Sequence, residues 1–150
     1  MKINKAGLEL VKQFEGFRAD AYKDLAGIYT IGYGSTQGIN ENTPRITQMD
    51  AEKLLRDDLN SAEHLVTTLI TKPLTSNQFS ALVSLVFNCG GAPLRGTLGK
   101  RLNMGDYHGA SLIFEKWCNA RVNGVLTPIK GLLRRRLAEK ALFLSTESGE

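Results

Sequence analysis

One β-forming segment interrupts a chain whose other patterns are helical. The segment AYKDLAGIYTIGYG, residues 21–34, is rich in Tyr, Ile and Thr and is divided by Asp-Leu-Ala-Gly. This composition predicts a β-hairpin with its turn near residues 24–27. Because a hairpin folds back on itself, we expect Thr30 to lie beside Asp24. The glycines that follow leave the backbone open to close approach by a ligand.

The first helix pattern precedes this segment. Its apolar face is formed by Ile3, Leu8, Leu10, Val11 and Phe14. Asn4 is the predicted N-cap, and Gly16 is the predicted C-terminal stop.

Further helices follow the hairpin, each with its own start signal. The start residues are Thr47, Thr75, Thr97 and Asp106, and Asp50 and Gln78 complete two capping boxes. The helix after Thr75 is apolar on most sides and is predicted to be the buried centre of the larger lobe. The helix that starts at Asp106 is predicted to run through Asn119. The chain is therefore predicted to be α+β, predominantly α-helical, with one small hairpin.

The last predicted helix ends at Leu144. Its predicted core stripe consists of Leu133, Leu137, Ala141 and Leu144. The three arginines at 134–136 diverge by 100° per residue and form no continuous basic stripe. We therefore expect a solvated face with one inward arginine, and an i,i+4 ion pair between Arg135 and Glu139.

Composition restricts the classes of function. The 150 residues fit one domain, and the net charge of +4 favours an anionic polymer or surface. Cys89 and Cys118 match no metal or redox motif and are predicted to be separate reduced thiols, and the two histidines lack partners at metal spacing. We expect no metal, no cofactor, no nucleic-acid partner, no stable membrane insertion and a monomer. Only the last six residues, STESGE, are expected to be disordered.

Glu15 is acidic where the first helix pattern requires an apolar residue. It lies between Val11 and Leu8 on the helical wheel. Burial disfavours the charged form of a carboxyl group, and the negative end of the helix dipole acts in the same direction. Such a group can stay protonated and serve as a general acid. The alternative is a structural glutamate that is bridged to an arginine of the last helix.

Asp24 also has two interpretations. A turn aspartate commonly caps the turn through its side chain, which is a structural role. Together with Glu15, however, it predicts two carboxyl groups in contrasting environments that face one cleft. Glycoside hydrolysis needs such a pair, because one group protonates the leaving oxygen while the other activates water. In this interpretation the hydroxyl of Thr30 holds that water.

These residues carry a family resemblance. The segment EGFRADAYKDLAGIYTIGYG, with its E-x8-D-x5-T spacing and IGYG strand, resembles the active-site segment of the phage-type lysozymes, the endolysin or T4 lysozyme-like muramidase family. The similarity continues through LTSNQFSALVSLVFNCG, TLGKRLNMGDYHGA, the Trp117 region and GLLRRRLAEKALFL, and so covers essentially the whole chain. Many relatives have a histidine where this chain has Ser35, which is a local departure beside the catalytic segment.

The resemblance implies one catalytic domain over residues 1–150 with a two-lobed lysozyme-like fold. The hairpin lobe would span about 15–45 and the helical lobe about 47–144. The implied activity is hydrolysis of the β-1,4 bond between N-acetylmuramic acid and N-acetylglucosamine in bacterial peptidoglycan, with Glu15 as proton donor. Asp24 and Thr30 would position the attacking water and give inversion, with the carboxyl groups roughly 6.5–9.5 Å apart. The implied substrate contacts are Tyr33, Ser35, Phe87, Asn88 and Thr97.

The same resemblance implies lysis of a bacterial host. The enzyme would wait in the host cytoplasm, depend on a holin for access, and act on the wall in the periplasm. Two alternatives remain open: a lytic transglycosylase, which forms an anhydro ring, and a peptidoglycan-binding module without turnover. The presence of Asp24 and Thr30 favours the hydrolase over the first, and the presence of both carboxyl groups favours an enzyme over the second.

Overall fold

The computed structural model describes residues 1–150. The chain forms seven α-helices and two antiparallel sheets of two strands each. The helices are α1 (Lys5–Glu15), α2 (Gln48–Leu69), α3 (Ser76–Cys89), α4 (Ala92–Arg95), α5 (Thr97–Asn103), α6 (Tyr107–Ser111) and α7 (Lys130–Leu144), with a 3-10 helix at Phe114–Lys116. The strands are β1 (Arg18–Lys23), β2 (Tyr29–Gly32), β3 (Asn119–Val122) and β4 (Val125–Pro128). The predicted class, α+β and mostly helical, is confirmed.

The chain divides into two compact units. The hairpin unit is Val11–Ser61, and the helical unit combines Met1–Leu10 with Ala62–Glu150. In the hairpin unit the predicted β1–β2 hairpin is present and antiparallel. Its turn closes through the Asp24 N–H, which donates to the Ile28 carbonyl at 2.9 Å.

Both ends of α1 follow the local sequence signals. The Oδ1 atom of Asn4 accepts from the Gly7 N–H at 2.9 Å, as an N-cap does. Gly16, at φ 74°, donates its N–H to the Lys12 carbonyl and ends the helix.

Both predicted capping boxes are present. Thr47 and Asp50 exchange side-chain-to-backbone hydrogen bonds at the start of α2. Thr75 and Gln78 do the same at the start of α3. Helix α3 is the buried centre of the helical unit, because its residues 79–86 are all buried.

Two later boundaries differ from the prediction. Thr97 is the first residue of α5, and Gly96 before it supplies no side-chain cap. Asp106 does cap α6 by accepting the Gly109 N–H at 2.9 Å, but α6 already ends at Ser111. The predicted single helix is therefore a short helix followed by a 3-10 turn and strand β3.

A second hairpin, β3–β4, was not predicted. Asn123 and Gly124 form its turn at φ 51° and 80°. Positive φ at both central residues is what a type I′ turn requires, and Asn-Gly is a strong signal for it. The prediction of a single hairpin is therefore wrong, although the sequence contained the signal.

Helix α7 buries a different face from the predicted one. The predicted stripe is solvent-exposed: Leu133 at 38%, Leu137 at 45%, Leu144 at 50%, and Ala141. The buried residues are Arg135, Arg136, Glu139 and Phe143. The leucine stripe is therefore wrong, and two arginines point inward instead of one. The predicted ion pair is confirmed, since Arg135 Nε lies 3.3 Å from Glu139 Oε2.

The C-terminal residues after α7 are anchored. Asn77 Nδ2 donates to the Ser145 and Glu147 carbonyls at 3.1 and 2.6 Å. The Ala6 N–H donates to the Gly149 carbonyl at 2.7 Å, so the expectation of disorder in the last six residues is wrong. Both cysteines are free thiols. None of the helices is long and apolar enough to cross a bilayer.

Candidate active site

Glu15 is the last residue of α1 and is half-buried. The turn after β2 approaches its carboxyl group closely, because a Cβ atom built on Gly34 would lie 3.5 Å from Glu15 Oε1. Gly34 has φ 96°, a conformation that favours glycine. The absence of a side chain at Gly34 therefore keeps this side of the carboxyl group open.

Asp24 holds the β1–β2 turn with one of its two carboxyl oxygens. Its Oδ1 atom accepts from the N–H groups of Ala26 and Ile28, both at 2.9 Å. The Oδ2 atom makes no hydrogen bond within the protein. The structural role that the sequence offered as an alternative is thus real, yet it occupies only half of the carboxyl group.

Thr30 is buried, with 4% exposure, on strand β2. Its register partner is Tyr22 and not Asp24. Its Oγ1 atom donates to the Ile28 carbonyl at 3.0 Å, while the Ile28 N–H donates to Asp24. Thr30 and Asp24 are therefore connected through one residue of the turn.

Tyr33 and Ser35 follow β2 and are both buried. The Tyr33 ring packs on Phe17 with 5.6 Å between centroids, and the Lys12 ammonium lies 5.8 Å from the Tyr33 ring centre. Ser35 Oγ donates to Asp58 Oδ2 at 2.6 Å. These contacts hold the turn after β2 against α1 and α2, and burial leaves either side chain little surface for a ligand.

The helical unit contains a cavity of about 670 Å³, called here the helical-unit cavity. Its lining residues are Asn88, Cys89, Thr97, Lys116, Trp117, Asn119, Ala120, Leu126 and Leu132. Two of the predicted contacts, Asn88 and Thr97, therefore share one cavity, whereas Phe87 is not among its lining residues. Trp117 is half-buried and lines this cavity.

Three lining residues come from the β3–β4 hairpin and were missed: Asn119, Ala120 and Leu126. The Asn123-Gly124 dipeptide was the available signal, because a hairpin there brings both strands to the same region. No group of three or more His, Cys, Asp or Glu side chains is arranged to hold a metal ion.

A buried charge network lies behind the cavity. Glu139 Oε2 accepts from Ser84 Oγ at 2.6 Å, from Arg136 Nη2 at 3.0 Å and from Arg135 Nε at 3.3 Å. Burial raises the pKa of Glu139, and the Arg136 guanidinium, the Ser84 hydroxyl and Arg135 oppose that shift.

Arg136 connects this network to the cavity wall. Its Nη2 atom donates to Asn88 Oδ1 at 2.9 Å. Its Nη1 atom donates to Cys89 Sγ at 2.6 Å and to the Trp117 carbonyl at 3.2 Å. Burial raises the pKa of the Cys89 thiol, while the Arg136 charge opposes the shift.

Comparison with known proteins assigns the family. The phage lysozyme family model matches residues 12–139. An endolysin of Acyrthosiphon pisum secondary endosymbiont phage 1 is 51% identical over 146 residues, or 97% of this chain and 99% of the relative. A mutant of P22 lysozyme superposes with a TM-score of 0.86 at 37% identity, over 97% of this chain and 99% of that one. The muramidase domain of SpmX from Asticaccaulis excentricus superposes with a TM-score of 0.88 at 41% identity, over 96% of this chain and 98% of that one. The chain therefore belongs to the phage lysozyme family of peptidoglycan-hydrolysing endolysins.

Proposed function

We propose that this protein is a muramidase that hydrolyses the β-1,4 bond between N-acetylmuramic acid and N-acetylglucosamine. The observation that supports the proposal is that Glu15, Asp24 and Thr30 all lie in one compact unit, the first at the end of α1 and the other two on one hairpin. The similar SpmX domain from Asticaccaulis excentricus is itself a muramidase domain.

Each group has a role that its surroundings support. Half-buried Glu15 donates the proton to the leaving oxygen. The Oδ2 atom of Asp24 has no partner in the protein and accepts a proton from the attacking water. Thr30 uses its hydroxyl hydrogen on the Ile28 carbonyl, so its oxygen accepts the water's second hydrogen. A water held in this way attacks from the face opposite the acid and inverts the anomeric carbon.

The test compares wild type, Glu15→Gln and Glu9→Gln on purified peptidoglycan. Glu9 is an exposed glutamate of the same helix and controls for the loss of one carboxyl group. We expect wild type and Glu9→Gln to clear the suspension and Glu15→Gln to be nearly inert. Product masses decide the reaction type, since hydrolysis gives reducing muramic-acid ends that are one water heavier than anhydro ends.

Other outcomes would redirect the proposal. Anhydro ends would keep Glu15 as the acid but make the protein a lytic transglycosylase. Binding of the wall without clearance would make it a binding module. If Glu15→Gln cleared the suspension as fast as wild type, the role of Glu15 would be wrong whatever the products were.

Access to the wall is the second part of the proposal. The protein accumulates in the host cytoplasm and reaches the periplasmic wall when a holin opens the membrane. Expression with and without a co-expressed holin tests this, and lysis should require both proteins. Lysis of comparable speed without a holin would overturn the dependence. Because the net charge is +4, activity on the anionic wall should fall as salt is added.

A further inference from the structure

The side-chain amide of Asn88 is held by groups that lie behind the wall of the helical-unit cavity. Its Oδ1 atom accepts from Arg136 Nη2 at 2.9 Å and from the Cys89 thiol at 3.7 Å. Its Nδ2 atom makes no hydrogen bond within the protein. Asn88 is itself exposed and lines the cavity.

The chemistry of Arg136 determines which way this amide points. A guanidinium group has donors only, so it can pair with the oxygen of an amide and not with its nitrogen. Arg136 is fully buried, and its position is set by Glu139 on the same helix. A flip of the Asn88 amide would bring two donors together beside a buried charge, which is costly.

We propose that Arg136 is a positioning residue that fixes Asn88 as a hydrogen-bond donor toward the helical-unit cavity. The matching ligand group is an acceptor, such as the acetamido carbonyl or a ring hydroxyl of an amino sugar. The inference rests on the proposed function for its ligand class, since that function makes the ligand a glycan of N-acetylated sugars. Arg136 also holds the Trp117 carbonyl at 3.2 Å, so one side chain orients two parts of the wall.

Tryptophan fluorescence gives a direct test, because Trp117 is the only tryptophan in the chain and lines the cavity. A soluble N-acetylglucosamine oligosaccharide is titrated into the Glu15→Gln protein. This substitution removes the proposed acid and so prevents turnover. Asn88→Asp and Asn88→Ala are then compared in that background. Both variants lose the donor, and Asn88→Asp keeps the shape and the pairing with Arg136. We expect the Kd of each to rise at least about tenfold, with thermal stability of Asn88→Asp unchanged or higher.

Arg136→Lys tests the positioning role. Lysine keeps the charge but lacks the planar guanidinium group whose two Nη atoms donate at the same time to Asn88 and to the Trp117 carbonyl. We expect the Kd of Arg136→Lys to be higher than that of the Glu15→Gln parent, and by more than its change in thermal stability explains. A purely structural Arg136 would lower stability and leave the Kd of the folded fraction unchanged. If Arg136→Lys does not fold, the two Asn88 variants decide alone.

Three results would overturn the proposal. The first is a Kd for Asn88→Asp within twofold of the parent. The second is normal binding by Asn88→Ala, because the effect of the aspartate would then be one of charge. The third is no oligosaccharide binding by the parent at all. Peptidoglycan clearance by Glu15→Gln would instead refute the catalytic assignment and leave these binding results interpretable.

Discussion

Arg136 Nε lies 2.6 Å from Glu139 Oε1, and neither side chain is exposed to solvent. The two atoms are in ionic contact but are not aligned for a hydrogen bond. Burying two charges is costly unless further hydrogen bonds compensate. Here Arg135, Ser84 and Asn88 supply them. The contact of α7 with the rest of the helical unit therefore depends on a polar network.

Glu139→Gln should be strongly destabilising. It removes the carboxylate on which Arg135 and Arg136 converge and takes the ion-pair partner away from the fully buried Arg136 guanidinium. We expect the free energy of unfolding to fall by about 3–5 kcal/mol, the usual cost of breaking a buried pair. Urea denaturation followed by circular dichroism measures it.

Leu137→Ser is the matched control on the same helix. Because Leu137 is 45% exposed, its replacement should change the free energy of unfolding by less than about 0.5 kcal/mol. If Leu137→Ser cost more than Glu139→Gln, the leucine stripe would be the buried face after all.

The failure to predict the buried face of α7 has a physical reason. Leucines at spacings of four and three residues indicate an apolar face, and periodicity alone selects that face as the buried one. What reverses the outcome is a set of partners remote in sequence, Ser84 and Asn88 on α3. No pattern within α7 reports that those partners exist.

The features that were predicted correctly depend on local interactions. The β1–β2 hairpin and the capping boxes at Thr47 and Thr75 each involve residues within a few positions of one another. Glu15 also stands out through a local pattern, because it is acidic on an apolar helix face, and its catalytic role stays a prediction. The helical-unit cavity was only partly predictable, since its wall combines residues of α3, α5 and a hairpin far apart in the chain.

Gly34→Ala should reduce activity more than stability. A methyl group there would contact Glu15 Oε1 at 3.5 Å and narrow access to that oxygen. Positive φ adds strain of about 1–3 kcal/mol. Gly38→Ala is the control, because Gly38 also has positive φ, 72°, but an added Cβ would have no neighbour within 4 Å. We expect similar losses of melting temperature, with at least a tenfold loss of peptidoglycan clearance only in Gly34→Ala. Equal activity of the two variants would contradict a role for the open side of Glu15.

The stability contributed by Glu52 should depend on pH. The hydrogen bond from Lys12 holds the pKa of Glu52 below its ordinary value of 4.5. A lowered folded-state pKa contributes stability above the unfolded value, and this contribution is lost as the pH falls through the folded value. Glu52→Gln should therefore be less stable than wild type at pH 6, by no more than about 1 kcal/mol because the pair is partly exposed. Thermal unfolding from pH 6 to pH 3 should show this difference shrinking below about pH 4.5, and a constant difference would refute the assignment.

Cys89 should react slowly with alkylating reagents. The thiolate is the reactive form, and burial raises the pKa of this thiol even though the Arg136 guanidinium acts in the opposite direction. In a Cys118→Ser protein, mass spectrometry follows the addition of iodoacetamide to Cys89 alone, with a small unburied thiol as the reference. We expect a lower rate than the reference at pH 8, and a rate that still increases as the pH passes the ordinary thiol value of 9.0. A rate equal to that of the reference at pH 8 would mean that Arg136 outweighs burial and stabilises the thiolate.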